Sequence, residues 1–139
     1  MSCLAQKSVV GTYRLSSFVV DIDGKLREPM GKSPRGYSVI TSTHLIAVIT
    51  GEGHKSASSI QEKAALYDML TAYSGAYRIE GNRLVTSVDA SWDEVWNGTQ
   101  QWRNFTVEGN HLILTTDPTA FGGDPTKTGV VRITWEMVE

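Results

Sequence analysis

The chain has 139 residues, of which 40% are hydrophobic and 20% are charged, so it is long enough for one domain with a buried core. Its 13 basic and 15 acidic side chains give a net charge of −2 without any basic run, which argues against a nucleic-acid partner. The single cysteine, Cys3, excludes an internal disulfide framework, and no stretch is apolar enough to span a membrane. The first residues lack the apolar core of a signal peptide, so a cytoplasmic protein is expected.

The first part of the chain predicts short strands joined by turns. β-Branched and aromatic residues predict a strand over residues 9–20, which an Asp23-Gly24 turn follows. Residues 27–36 contain two prolines and two glycines and are predicted to form a loop. Two short strands over residues 37–41 and 45–50 come next. Both of their faces are apolar, so the pattern does not fix which side chains face the core.

One short helix is predicted over about residues 57–72. Ser59 and Glu62 have the spacing of a capping box at its start. Ile60, Ala64 and Tyr67 recur at helical spacing and predict an apolar face that packs on the rest of the protein.

Two hairpins share a Gly-Asn turn, one over residues 76–85 and one over residues 98–116. Glycine in the first loop position suits a type II′ turn, which places Glu108 opposite His111 in the second hairpin. Alternation then puts one set of side chains on the inner face: Gln101, Arg103, Phe105, Val107, Leu112, Leu114 and Thr116. This face is apolar near the turn and polar at its far end, so Arg103 and Gln101 are predicted to enter the same enclosed space as the core.

The end of the chain predicts one further strand. Residues 89–97 carry Trp92 and Trp96 in a polar segment, and residues 117–129 are predicted to form a loop. The last strand alternates cleanly, with Val131, Ile133, Trp135 and Met137 facing one way. About eight strands and one helix predict an all-β, antiparallel up-and-down barrel in a single domain over residues 1–139, with the helix near one mouth. A β-sandwich with the helix on one sheet is the alternative.

Several short motifs resemble those of the small lipocalin-like domain family of bacteria and fungi. They are Gly11-Thr12-Tyr13-Arg14-Leu15, Gly31 with Pro34, Gly36 and Tyr37, Tyr73-Ser74-Gly75 with Tyr77, Gly98-Thr99 with Gln101, Arg103 and Phe105, and Gly109-Asn110 with Leu112 and Leu114. They follow one another in the family's order over most of the chain. The resemblance implies a lipocalin-like barrel with an internal cavity. It does not imply one activity, although some relatives act as cofactor-free cyclases or isomerases in natural-product assembly.

Arg103 and Gln101 are the first candidates for catalysis, because a guanidinium and an amide inside a barrel can stabilise negative charge on a carbonyl or enolate oxygen. The alternative is an internal salt bridge that only ties the barrel together. Tyr73, as a proton donor, and His54, beside the predicted helix, complete the candidate catalytic set. For His54 a solvated loop position is the alternative. The predicted ligand-binding residues are Tyr13, Tyr37, Val39, Tyr77, Phe105, Leu114, Thr116 and Trp135.

The sequence contains no paired histidines, no cysteine set and no nicotinamide or flavin fingerprint, so neither a metal nor a cofactor is expected. Three functions fit these observations. The first is a cofactor-independent cyclase or isomerase acting on a polyketide- or terpenoid-like substrate, and the second is a non-catalytic carrier of a small apolar or amphipathic ligand. The third is a filled barrel that serves as an interaction module. Trp102, predicted to face outward, suits an outer helix or a homodimer contact.

Overall fold

The computed structural model describes residues 9–121 and 124–139, and these ranges contain ten strands and one α-helix. The strands are β1 (Gly11–Ile22), β2 (Lys25–Arg27), β3 (Arg35–Ile40), β4 (His44–Thr50), β5 (Leu70–Glu80), β6 (Arg83–Ser91), β7 (Gln100–Glu108), β8 (His111–Thr115), β9 (Thr119–Phe121) and β10 (Asp124–Met137). The helix, α1 (Ile60–Asp68), connects β4 to β5. A short 3-10 helix (Glu94–Trp96) connects β6 to β7.

Pairing of the first strand with the last closes the sheet into a barrel. β1 pairs with β3 on one side and with β10 on the other, and the strands between them pair in chain order, all antiparallel. Eight strands form the barrel, and the short strands β2 and β9 extend it beside β1 and β10. The predicted all-β, up-and-down, lipocalin-like barrel is therefore confirmed. The sandwich alternative is wrong, because the β1–β10 pairing joins the two edges that a sandwich would leave open.

Tight Gly-Asn turns set the register of both predicted hairpins. Gly109 has a φ of 61° and Gly81 a φ of 63°, values in the left-handed region that glycine adopts without steric penalty. Glu108 lies opposite His111 across the second turn, as predicted. The inner face that follows from this register is buried at Leu112, which is 1% exposed. The turn chemistry and the alternation therefore fix the same register.

The helix begins where the capping box predicts and ends earlier than predicted. The Ser59 hydroxyl accepts a hydrogen bond from the backbone N–H of Glu62 at 3.1 Å. Leu70 and the residues after it pair with β4 as the first part of β5, which ends α1 before the predicted residue 72. Ile60 is 81% exposed and no helix residue is buried, so the predicted apolar face does not pack on the core.

The predicted loop over residues 117–129 is the second difference. β9 lies within it, and β10 already begins at Asp124. β10 pairs with β9 through an irregular stretch between Asp124 and Thr128, and such an irregularity interrupts the two-residue alternation on which the strand prediction depends. The turn-forming residues of this stretch therefore predicted a loop where β9 and the first part of β10 pair as strands.

The barrel has two ends with different packing, and the strand directions distinguish them. α1 and the 3-10 helix lie at one end, called the helix end, whereas the β5–β6 and β7–β8 turns lie at the other, called the turn end. Near the turn end the buried Tyr13 hydroxyl donates to the carbonyl of Val9 at 2.7 Å, and the Tyr77 hydroxyl donates to the carbonyl of Thr41 at 2.6 Å. These buried aromatic side chains fill the turn end and leave internal space toward the helix end.

Candidate functional site

A cavity of about 150 Å³ lies inside the barrel toward the helix end. Most of its wall is apolar and includes Phe18, Ile40, Ala47, Leu112, Leu114 and Trp135. The polar side chains that line it in the described part of the chain are Ser38, Thr71, Tyr73 and Arg103. An apolar cavity of about 150 Å³ accommodates a benzene molecule. The space therefore suits a single ring with a few polar groups at its edge.

Arg103 is the charged side chain among the described residues of this wall. It lies on β7 opposite Leu84, so the alternation of the strand turns it inward, as the sequence predicts. Its Nη1 donates to the backbone carbonyl of Trp102 at 2.8 Å. The ion pairs among the described side chains involve Arg14, Arg78, Arg83 and His111, and none of them involves Arg103. Within the described residues, the internal salt bridge considered as an alternative is therefore not formed.

Tyr73 supplies a phenol to the same cavity from β5. Burial raises the pKa of the Tyr73 phenol, and the positive charge of Arg103 opposes part of that rise. The pKa remains above its ordinary value, so the phenol is protonated at neutral pH and can donate a hydrogen bond. A neutral donor and a cation therefore face one apolar space.

An aromatic cluster borders the cavity at the helix end. The Tyr73 and Trp96 rings lie 5.3 Å apart, and the Trp96 and Trp92 rings lie 5.1 Å apart. The 3-10 helix positions Trp96, because the Asp93 carboxylate caps it by accepting from the backbone N–H of Val95 at 3.1 Å. The rings are tilted by 52° and 62° to one another, and Tyr73 and Trp96 of this cluster line the cavity.

Four of the sequence-predicted site residues meet at the cavity: Arg103, Tyr73, Leu114 and Trp135. Tyr13 and Tyr77 are buried near the turn end and do not belong to the cavity wall. Phe105 packs against the core cluster. The Thr116 hydroxyl accepts a hydrogen bond from the backbone N–H of Val131 at 3.0 Å, so it stabilises the barrel backbone.

Tyr37 and Val39 lie on the outer surface, and the prediction that they face the cavity is wrong. Tyr37 is 55% exposed and Val39 is 40% exposed. β3 instead turns Ser38 and Ile40 inward. Both faces of this strand are apolar, so hydrophobicity alone could not separate the inner face from the outer one.

Gln101 and His54 do not join Arg103 at the cavity wall. The Gln101 amide donates to the Thr99 hydroxyl at 3.0 Å, which holds its side chain near the loop before β7. His54 is exposed in the loop between β4 and α1, where its backbone N–H donates to the carbonyl of Gly51. His54 is therefore a solvent-exposed loop histidine, which is the alternative that the sequence left open.

Several cavity residues were not predicted as site residues, among them Phe18, Ser38 and Trp96. Phe18 follows an irregularity in the β1–β10 register between Leu15 and Ser17, which changes the alternation along β1. Trp96 lies in a connection, where no strand pattern predicts its direction. A large aromatic residue in an otherwise polar connection was the available signal.

The described residues contain no group of three or more His, Cys, Asp or Glu side chains placed to hold a metal ion. Among the helices in that part of the chain, none is long and apolar enough to cross a membrane. Trp102 faces outward as predicted, and the Arg83 guanidinium stacks 3.9 Å from the centre of its ring. A homodimer through this surface stays a prediction.

Comparison with known proteins agrees with the barrel fold. No match was found among the curated proteins or among the solved structures. The model of the lipocalin-like domain family matches residues 10–138, which is nearly the whole chain. Barrels of this size hold one small ligand when side chains do not fill them. The closed eight-strand barrel and the family match together show that the chain belongs to the lipocalin-like domain family.

Proposed function

We propose that this protein binds a small, mainly apolar molecule inside its barrel. The observation that supports this most directly is the internal cavity of about 150 Å³, which apolar side chains line and which Arg103 and Tyr73 face. Transfer of apolar surface from water into such a space is favourable, and a few polar groups orient the bound molecule. The aromatic rings at the helix end provide a surface for a planar group.

Filling the cavity is expected to remove this binding. Ala47 lies in the wall and is 4% exposed, whereas its neighbour Val48 is 43% exposed on the outer face. In Ala47→Leu the larger side chain enters the ligand space, so we expect the affinity for fluorobenzene, measured by ¹⁹F NMR titration, to fall by about tenfold or more. Val48→Leu is the matched control and is expected to leave the affinity unchanged. Equal affinities in the two variants would place the probe outside the barrel and contradict the proposal.

Catalysis is the second candidate, and Arg103 and Tyr73 together favour it. For a ketone with its oxygen between these groups, loss of an α proton to water breaks the C–H bond and places negative charge on the oxygen. Arg103 would stabilise that charge, and the protonated phenol of Tyr73 would donate a hydrogen bond to it. This chemistry is the first step of a cofactor-independent isomerase or cyclase. A polyketide- or terpenoid-like substrate and a cytoplasmic location remain parts of the proposal that rest on the sequence.

Exchange of α protons for deuterium tests this second candidate. With acetophenone in D₂O, we expect the protein to accelerate exchange, followed by NMR. We expect Tyr73→Phe and Arg103→Met each to lower the rate by roughly tenfold to a hundredfold, because each removes a donor to the developing charge. Tyr67→Phe is the control, since its hydroxyl donates to the carbonyl of Trp92 at 3.2 Å and does not line the cavity. Acetophenone binding without exchange above the background rate would favour the carrier.

A further inference from the structure

We infer that the ligand is an anion, a small aromatic acid whose carboxylate meets Arg103. This inference rests on the proposed function, because it names the class of molecule that the same cavity takes. It goes further in one respect, since an apolar cavity alone would accept neutral molecules equally well.

The charge of Arg103 is the first argument. A guanidinium stays protonated at every pH at which proteins fold, and Arg103 is partly buried, so part of its hydration is lost without a charged partner to replace it. Among the described side chains that line the cavity, Arg103 is the charged one, and the described ion pairs do not include it. Among the described residues, its side chain donates a hydrogen bond to the carbonyl of Trp102, a neutral acceptor. A bound anion would supply the missing negative charge, whereas a neutral ligand would not.

The donors at the cavity provide the second argument. The bond from Nη1 to the Trp102 carbonyl at 2.8 Å orients the guanidinium, and its other N–H groups have no hydrogen-bond partner among the described residues. Two parallel N–H groups match the two oxygens of a carboxylate. The protonated phenol of Tyr73 lines the same space and offers a further donor. Donors converge here, and no described carboxylate lines the cavity to compete for them.

The size and shape of the cavity provide the third argument. About 150 Å³ accommodates one six-membered ring. Leu112, Leu114 and Trp135 form an apolar wall, and Trp96 adds an aromatic surface beside Tyr73. A ring in the apolar part would leave its substituent at the polar edge. An aromatic monocarboxylate has a ring that fits the volume and the aromatic wall, and it has a negative charge that can pair with Arg103.

A matched pair of probes separates charge from shape. 4-Fluorobenzoate and 4-fluorobenzamide have nearly the same size, and ¹⁹F NMR titration gives the affinity of each. At neutral pH we expect the benzoate to bind about tenfold tighter or more, because hydrogen bonds between two charged groups are stronger than neutral ones. Chemical-shift changes at the methyl groups of Leu112 and Leu114 would report binding within the cavity.

Variants assign the preference to Arg103. In Arg103→Met the two probes are expected to bind with equal affinity. Arg83→Met makes the same change in net charge on the outer surface, where Arg83 stacks on Trp102, and is expected to keep the benzoate preference. Arg103→Lys retains the positive charge but cannot form the bidentate contact with a carboxylate. It is therefore expected to keep part of the benzoate preference.

The outcomes distinguish this inference from the proposed function. If fluorobenzene binds and Ala47→Leu blocks it, but the benzoate binds no better than the amide, the ligand is not an anion and internal binding stands. A preference that survives in Arg103→Met would also overturn the inference. If none of the three probes binds, both proposals fail. If Arg103→Met does not fold, the ratio of the benzoate affinity to the benzamide affinity is compared between the unmodified protein and Arg103→Lys. An equal ratio in these two proteins would overturn the inference.

Discussion

Gly75→Ala is expected to lower the free energy of unfolding by about 3 kcal/mol or more. Gly75 lies on β5 at an irregularity in its pairing with β6, where the two backbones approach closely. A Cβ atom at this position would overlap the backbone oxygen of Ser87 and lie 3.2 Å from the Cα of Val88. Both contacts are with backbone, so relief requires the two strands to separate rather than one side chain to rotate. Urea unfolding followed by circular dichroism measures the loss.

Ala76→Ser is the control for this substitution. Ala76 is the next residue on β5 and is exposed, so its replacement is expected to change the free energy of unfolding by less than about 0.5 kcal/mol. The comparison isolates close packing at Gly75 from the general effect of a larger residue in this strand. A loss below about 1 kcal/mol for Gly75→Ala would show that β5 and β6 can separate easily there.

Trp135→Ala is expected to destabilise the barrel by about 3–5 kcal/mol. The Trp135 side chain is 2% exposed, belongs to the core cluster and forms part of the cavity wall. On β10 it lies opposite Leu112 of β8 and Leu15 of β1, so its removal leaves a void between three strands. Thermal and urea unfolding give the size of the loss.

Trp102→Ala provides the matched comparison, because it removes the same side chain from the outside of the barrel. Trp102 is partly buried, and the Arg83 guanidinium stacks 3.9 Å from the centre of its ring. The expected loss is about 1 kcal/mol, the size of an exposed cation–π contact. If the two variants lost equal stability, the assignment of Trp135 to the interior and Trp102 to the exterior would be contradicted.

Strand alternation and turn chemistry made most of the barrel predictable. The Gly109-Asn110 turn fixed the register of β7 and β8, and this register turned Arg103 and Leu114 inward. The alternation around Trp135 likewise identified the inner face of β10. These elements have one apolar face and an unambiguous turn, so local sequence carries the information that the fold uses.

The remainder depends on contacts that local sequence does not encode. Tyr37 and Val39 lie on a strand with two apolar faces, and only its pairing with neighbours decides which side is inner. Trp96 reaches the cavity from a connection, where alternation does not apply. The absence of an acidic partner for Arg103 among the described side chains is a property of the folded arrangement. The candidate site was therefore half predictable, through Arg103 and Tyr73 but not through Gln101 and His54.

The β1–β10 pairing also determines when the cavity can exist during folding. Tyr13 pairs with Met137 and Val20 with Val131, so closure joins segments from opposite ends of the chain. Such distant pairings raise the contact order, and proteins with high contact order fold slowly. Because the chain is synthesised from its amino end, β1 cannot pair with β10 until β10 has been made. The ligand space is complete only when this pairing has formed, so we expect ligand binding to appear only after the first and last strands have joined.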